Sequence, residues 1–76
     1  MPSVERRSRA LCDIAVTYDR LGRRSDCLRN LLAAERCAPQ ETHARPATKS
    51  LISSLLVSGP VPTELRGLAE RSGVLV

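Results

Sequence analysis

Three cysteines and a single histidine, Cys12, Cys27, Cys37 and His43, are the residues of this sequence best suited to chemistry. Thiolate and imidazole groups hold zinc or carry nucleophilic catalysis, but both uses need particular spacings. Along 12, 27, 37 and 43 the intervals are 15, 10 and 6 residues. The close cysteine and histidine pairs of a zinc site are missing from that run. The cysteines therefore read as small apolar fillers of helices, and His43 as a solvated loop residue. Asp13 and Asp19 lie six residues apart, roughly 600° of helical rotation, and point to different sides. No glycine-rich phosphate loop, nucleophile elbow or paired-histidine zinc motif occurs. The expectation is a protein without catalysis, metal or cofactor.

The odd cysteine count, with no secretory segment and no apolar run near 18 residues, points to a reducing cytoplasm and away from a membrane. The 76 residues make a single small domain, 42% hydrophobic, with Tyr18 as its one aromatic. Its core must be built from Leu, Ile, Val and Ala, which suits interleaved helices and offers little for stacking bases. A net charge of +4 invites a nucleic-acid reading. However, the arginines divide between Arg6, Arg7 and Arg9 at one end of the first helix and Arg20, Arg23 and Arg24 at the other, roughly 20 Å away. Glu5–Arg9, Arg9–Asp13 and Asp19–Arg23 stand at i,i+4 spacing and are expected to pair.

Four helices are expected to position these residues. Ser3 caps the first, whose inner face is Leu11, Ile14, Ala15, Tyr18 and Leu21 at 3.6-residue spacing. Gly22 ends it in the left-handed conformation. Ser25 or Asp26 caps the second, which buries Cys27 or Leu28, Leu31, Leu32, Ala34 and Ala38 and stops at Pro39. The short turn between them forces an antiparallel hairpin over residues 8–41. A third helix over 42–58 begins at Thr42, or at Arg45 with Pro46 as its first helical residue. Ala47, Leu51, Ile52, Leu55 and Leu56 make its apolar stripe. Residues 59–62 form a Pro/Gly turn, and 63–76 a short capping helix with Leu65, Leu68 and Ala69 inward and Gly73 at its end.

The series Leu11, Ile14, Ala15, Tyr18, Gly22, Cys27, Leu31, Ala34, Pro39 resembles a tetratricopeptide unit, with Leu11 for the usual tryptophan and Cys27 for the usual alanine. The resemblance implies an all-α fold, a tetratricopeptide-like hairpin closed by two C-terminal capping helices. It also implies a protein- or peptide-binding role. Such a unit depends on stacked neighbours, so the sequence reads as the end of a larger array. The order of hairpin, Arg45-Pro46-Ala47, leucine-rich helix and closing Glu64-Leu65-Arg66…Leu68-Ala69-Glu70-Arg71 is similar to the C-terminal end of bacterial Xre-type transcription regulators. Their helix-turn-helix domain has no counterpart here. Residues 68–74 look like the first half of such a motif, but only Leu75 and Val76 follow. The resemblance thus implies the sensing or oligomerising role alone.

With Leu11–Tyr18 taken as the inner direction, Arg9, Cys12, Val16 and Asp19 share a side roughly 90–160° away. In tetratricopeptide arrays that side lines the peptide groove, so by resemblance these four are the expected ligand-binding residues. Packing against a preceding repeat is the alternative. Val4, Cys12 and Val16 leave apolar area there, from which self-association through the first helix, or marginal stability, is expected. A small basic nucleic-acid-binding protein and a truncated remnant without activity of its own stay open as rival readings.

Overall fold

Ser3 opens the first helix, α1 (Val4–Arg20), its extended backbone turning the side-chain Oγ onto the Arg6 amide at 3.1 Å. The computed structural model describes residues 3–74. After α1 come α2 (Arg24–Cys37), α3 (Pro39–Ala44), α4 (Pro46–Ser58) and α5 (Thr63–Arg71), with no strand among the described residues. The described residues are all-α, with five helices where the sequence predicts four. No helix among them is long and apolar enough to cross a membrane.

Gly22 and Gly73 do what their positions predict. Each has φ of 74°, a region costly for residues with a Cβ. Beyond Gly22 the Arg23 amide donates to Tyr18 O at 2.9 Å, and beyond Gly73 the Val74 amide donates to Ala69 O at 2.9 Å. Both helices therefore close with the same five-residue back-bond. The Gly22 closure is so tight that α2 begins at once, with Arg23 at its cap position and no side-chain cap. Ser25 and Asp26, the expected caps, lie inside the first turn instead. There Asp26 binds Arg23 Nε at 2.9 Å and also pairs with Arg29, a favourable place for negative charge. None of the three predicted i,i+4 ion pairs appears among the described residues.

Cys37 Sγ donates to Val4 O at 3.4 Å and Ser8 Oγ approaches Ala34 O at 3.4 Å. The end of α2 thus lies beside the start of α1, and the two run antiparallel. Their common core holds Cys12, Ala15, Cys27, Leu31 and Ala34, continued by Leu51, Ile52 and Leu55 of α4 and Leu65, Leu68 and Ala69 of α5. The centre of the buried face of α1 is Ser8, Cys12 and Ala15. Leu11 and Tyr18 flank it half-buried, while Ile14 and Leu21, expected inside, are 45% and 66% exposed. Small residues occupy the middle of the stripe because that is where α1 approaches its neighbours most closely.

The extra helix comes from Pro39. Rather than only stopping α2, it occupies the first position of α3, where its missing N–H costs nothing and its fixed φ favours a new start. Thr42 therefore does not cap the third predicted helix. It lies fully buried in α3, donating to Ala34 O at 3.0 Å. Arg45 with Pro46 begins α4 instead, the second of the two predicted starts. Within α4, Thr48 is buried and Ala47 exposed, which shifts the predicted stripe by one position.

Candidate functional site

The four residues expected to bind a ligand do not share one open surface. Cys12 is 1% exposed. Val16 packs against the core, and Asp19 accepts from Ser54 Oγ of α4 at 3.3 Å. Arg9 alone is exposed, beside Glu5, Arg6, Glu41 and Arg45 in an open depression of about 360 Å³. The helices α3 and α4 of this same chain thus lie over most of the side assigned to a groove or to a preceding repeat. Self-association through Val4, Cys12 and Val16 lacks the surface it was based on, since only Val4 among them is open.

What covers Cys12 is a polar seam. Ser8 Oγ lies 2.9 Å from Thr42 Oγ1. With the Thr42 proton directed to Ala34 O, Ser8 is the donor of that pair. Cys12 Sγ lies 3.5 Å from Thr48 Oγ1 and accepts from Arg45 Nη1 at 3.0 Å; the same nitrogen donates to Ser8 Oγ at 3.4 Å. Each buried hydroxyl here has a partner, as burial demands. The Cys27 thiol, on the neighbouring helix, is poorly placed for nucleophilic work. Burial pushes Cys27 up to about 11, so it stays protonated near neutral pH.

A second polar cluster escaped the sequence reading. Glu35 of α2 is 9% exposed. It accepts from Arg71 of α5 through Nε at 2.6 Å and Nη2 at 2.8 Å, and from His43 Nε2 of α3 at 2.6 Å. The Arg71 guanidinium foremost, helped by His43, holds the Glu35 carboxyl below the usual carboxylate range against the opposing effect of burial. His43 is therefore a helix-borne partner of a buried acid, not a solvated loop residue. The signal was present: Glu35 stands four residues after Leu31 and three before Ala38, on the inner face, where a carboxylate needs cations. The three groups tie α2, α3 and α5 together.

Arg24, at the start of α2, reaches across to the end of α4. It donates through Nη2 to Leu55 O at 2.6 Å and Pro60 O at 2.8 Å, and through Nε to Ser58 Oγ at 2.9 Å. A cation here satisfies Leu55 O, which the last turn of a helix leaves open, together with a carbonyl of the turn that follows. Beneath it, Ser25, Leu28, Leu55, Pro62 and Leu65 enclose about 40 Å³. That space suits water and is far smaller than a metabolite pocket of about 300 Å³ or more.

The open surface with most character lies on the opposite side of the hairpin from α4. Leu11, Ile14, Tyr18 and Leu21 follow one another at intervals of three, four and three along α1, a strip about 15 Å long. Arg7, Leu11, Ala33, Arg36 and Cys37 line a depression of about 370 Å³ where this strip meets α2. The Arg23 guanidinium covers the Tyr18 ring at 5.8 Å. No family model, curated protein or solved structure matches the chain. The strip and the guanidiniums beside it offer contact area and charge.

Proposed function

We propose that this chain is a non-catalytic module that binds a protein or peptide, using the outer face of the α1–α2 hairpin. The observation that carries the reading is the exposure of Ile14 and Leu21 in line with half-buried Leu11 and Tyr18. A continuous apolar strip of this kind, bordered by charge, marks an interaction surface. The resemblance to a tetratricopeptide hairpin at the end of an Xre-type regulator gives that module a setting, the sensing or oligomerising end of a transcription regulator. The arginines give less support to nucleic-acid binding than their number suggests, because Arg24, Arg45 and Arg71 donate within the fold and Arg23 and Arg29 share Asp26.

Site-specific photo-crosslinking tests this reading. A photoreactive residue at Leu21, used in extract of the native host, should yield discrete protein adducts that disappear with Ile14→Glu. Adducts unaffected by that substitution, or with nucleic acid alone, would reject the proposed face.

A further inference from the structure

We infer that the partner of the α1–α2 outer face is an acidic amphipathic helix. This rests on the reading of that face as a protein-binding surface and adds the chemistry of what it binds. The apolar strip from Leu11 to Leu21 spans about 15 Å, close to three turns of an incoming helix. Anchors spaced three and four residues apart fit a helix laid in a groove.

Charge selects the kind of helix. Ala33 and Arg36 of α2 border the strip, and Arg7 and Arg36 flank its depression. Arg23 joins them over the Tyr18 ring. Three guanidiniums thus lie beside the apolar floor, against the single carboxylate of Asp26, which is already bound by both Arg23 and Arg29. The acids of α1 face elsewhere. Asp19 meets Ser54 of α4, and Glu5 lies close enough to Glu41 of α3 to raise the Glu41 carboxyl above its ordinary value. Asp13 stands 100° of rotation from Ile14. A helix with leucine-type anchors on one side and Glu or Asp beside them would match both floor and rim.

The same charge argues against two other occupants. In a two-fold dimer the same patch meets itself, so the arginine rim of one copy would lie against the arginine rim of the other. Phosphate would suit the arginines but has no use for the aliphatic floor at Leu11, Ile14 and Leu21.

Fluorescence anisotropy with the whole chain provides the test. The probe is a labelled helical peptide of ~18 residues, about five turns, with Leu along one face and Glu elsewhere. Its control carries Lys in place of every Glu. The Glu peptide should bind saturably, at least about tenfold more tightly than the Lys peptide. Ile14→Glu, and separately Arg7→Glu with Arg36→Glu, should each weaken binding by about tenfold or more, with circular dichroism and melting temperature retained. Because Ile14 is exposed, a folded variant is expected; Ile14→Ser supplies an uncharged second case. Equal binding of the two peptides, no saturable binding, or binding indifferent to Ile14 would overturn the inference. So would sedimentation showing a dimer that Ile14→Glu dissolves, or duplex DNA that displaces the Glu peptide. Crosslinked protein adducts at Leu21 without Glu-peptide binding would leave the protein-binding module standing and reject only its acidic partner.

Discussion

Glu35→Gln should destabilise the fold by about 2 kcal/mol, and the value follows from the geometry of one carboxylate. Glu35 accepts three bonds of 2.6 to 2.8 Å, two from Arg71 and one from His43. A hydrogen bond to a charged group is worth about 1.5–3 kcal/mol, so three fully buried ones would exceed 4 kcal/mol. The side chain of Arg71, however, is 49% exposed against 11% for Glu35. Released, it regains water, and a partly exposed pair contributes far less than a buried one. Glutamine also keeps one accepting oxygen, which leaves about 2 kcal/mol. At about 2.1 cal/mol/K of unfolding entropy per residue, 1 kcal/mol moves a chain of this size by roughly 6 °C, so the melting temperature should fall about 12 °C. The Glu35 carboxyl titrates lower in the fold than in the unfolded chain. Its contribution is therefore complete above the unfolded value and is lost as pH falls through the lower folded one. Thermal unfolding followed by circular dichroism from near neutral to about pH 3 should show the wild type losing its advantage over Glu35→Gln below about pH 4, the ordinary range of a free carboxyl. A drop under about 3 °C at neutral pH, or parallel acid profiles, would refute the reasoning, because half the expected effect is already about 6 °C.

Replacing Glu35 and Arg71 together with Leu and Met should recover most of the loss, since the paired charges go together; chemical denaturation of both variants measures it. Ala15→Leu should cost about 1–3 kcal/mol, because Ala15 is 0% exposed in the tight centre of the hairpin; an unchanged denaturation midpoint would contradict that placement. A Cβ on Gly59 would meet Arg24 Nη1 at 2.9 Å. Gly59→Ala should therefore destabilise the wild type yet be near neutral in an Arg24→Ala background, which a double-mutant cycle detects. Gly22→Ala meets open space but holds φ of 74°, so about 1 kcal/mol should be lost in either background.

Much of the helical outline was legible because it depends on local chemistry. Ser3, Gly22, Arg45–Pro46 and Gly73 act on the few residues around them. Leu51, Ile52, Leu55, Leu65 and Leu68 follow a period that needs no knowledge of neighbours. The misplaced face of α1 has a physical origin. Large side chains such as Leu11 and Tyr18 reach inward from the edge of a packed stripe, while Ser8, Cys12 and Ala15 fill its middle. Weighting a helix by bulk turns the estimated centre toward the edge. Burial of Ser8, Thr42 and Thr48 was hidden for a related reason: hydroxyls count as polar until their partners, 34 and 36 residues away, are known. Glu35 could be placed on the inner face from register, but not its cations, because Arg71 lies 36 residues on. As for Arg9, Cys12, Val16 and Asp19, register grouped them correctly on one side, yet could not show that α3 and α4 return over it.

Helices held together only by aliphatic contacts can slide past each other by a turn, since such contacts have no direction. The hydroxyl seam between α1 and the returning α3–α4 segment removes that freedom. Shifting the segment by one turn, about 5.4 Å, would carry Thr42 and Thr48 away from Ser8 and Cys12. Each orphaned hydroxyl would cost about 1–3 kcal/mol, a large share of what so small a domain has in reserve. The seam thus works as an indexing key: the hairpin and its closing helices meet at one setting.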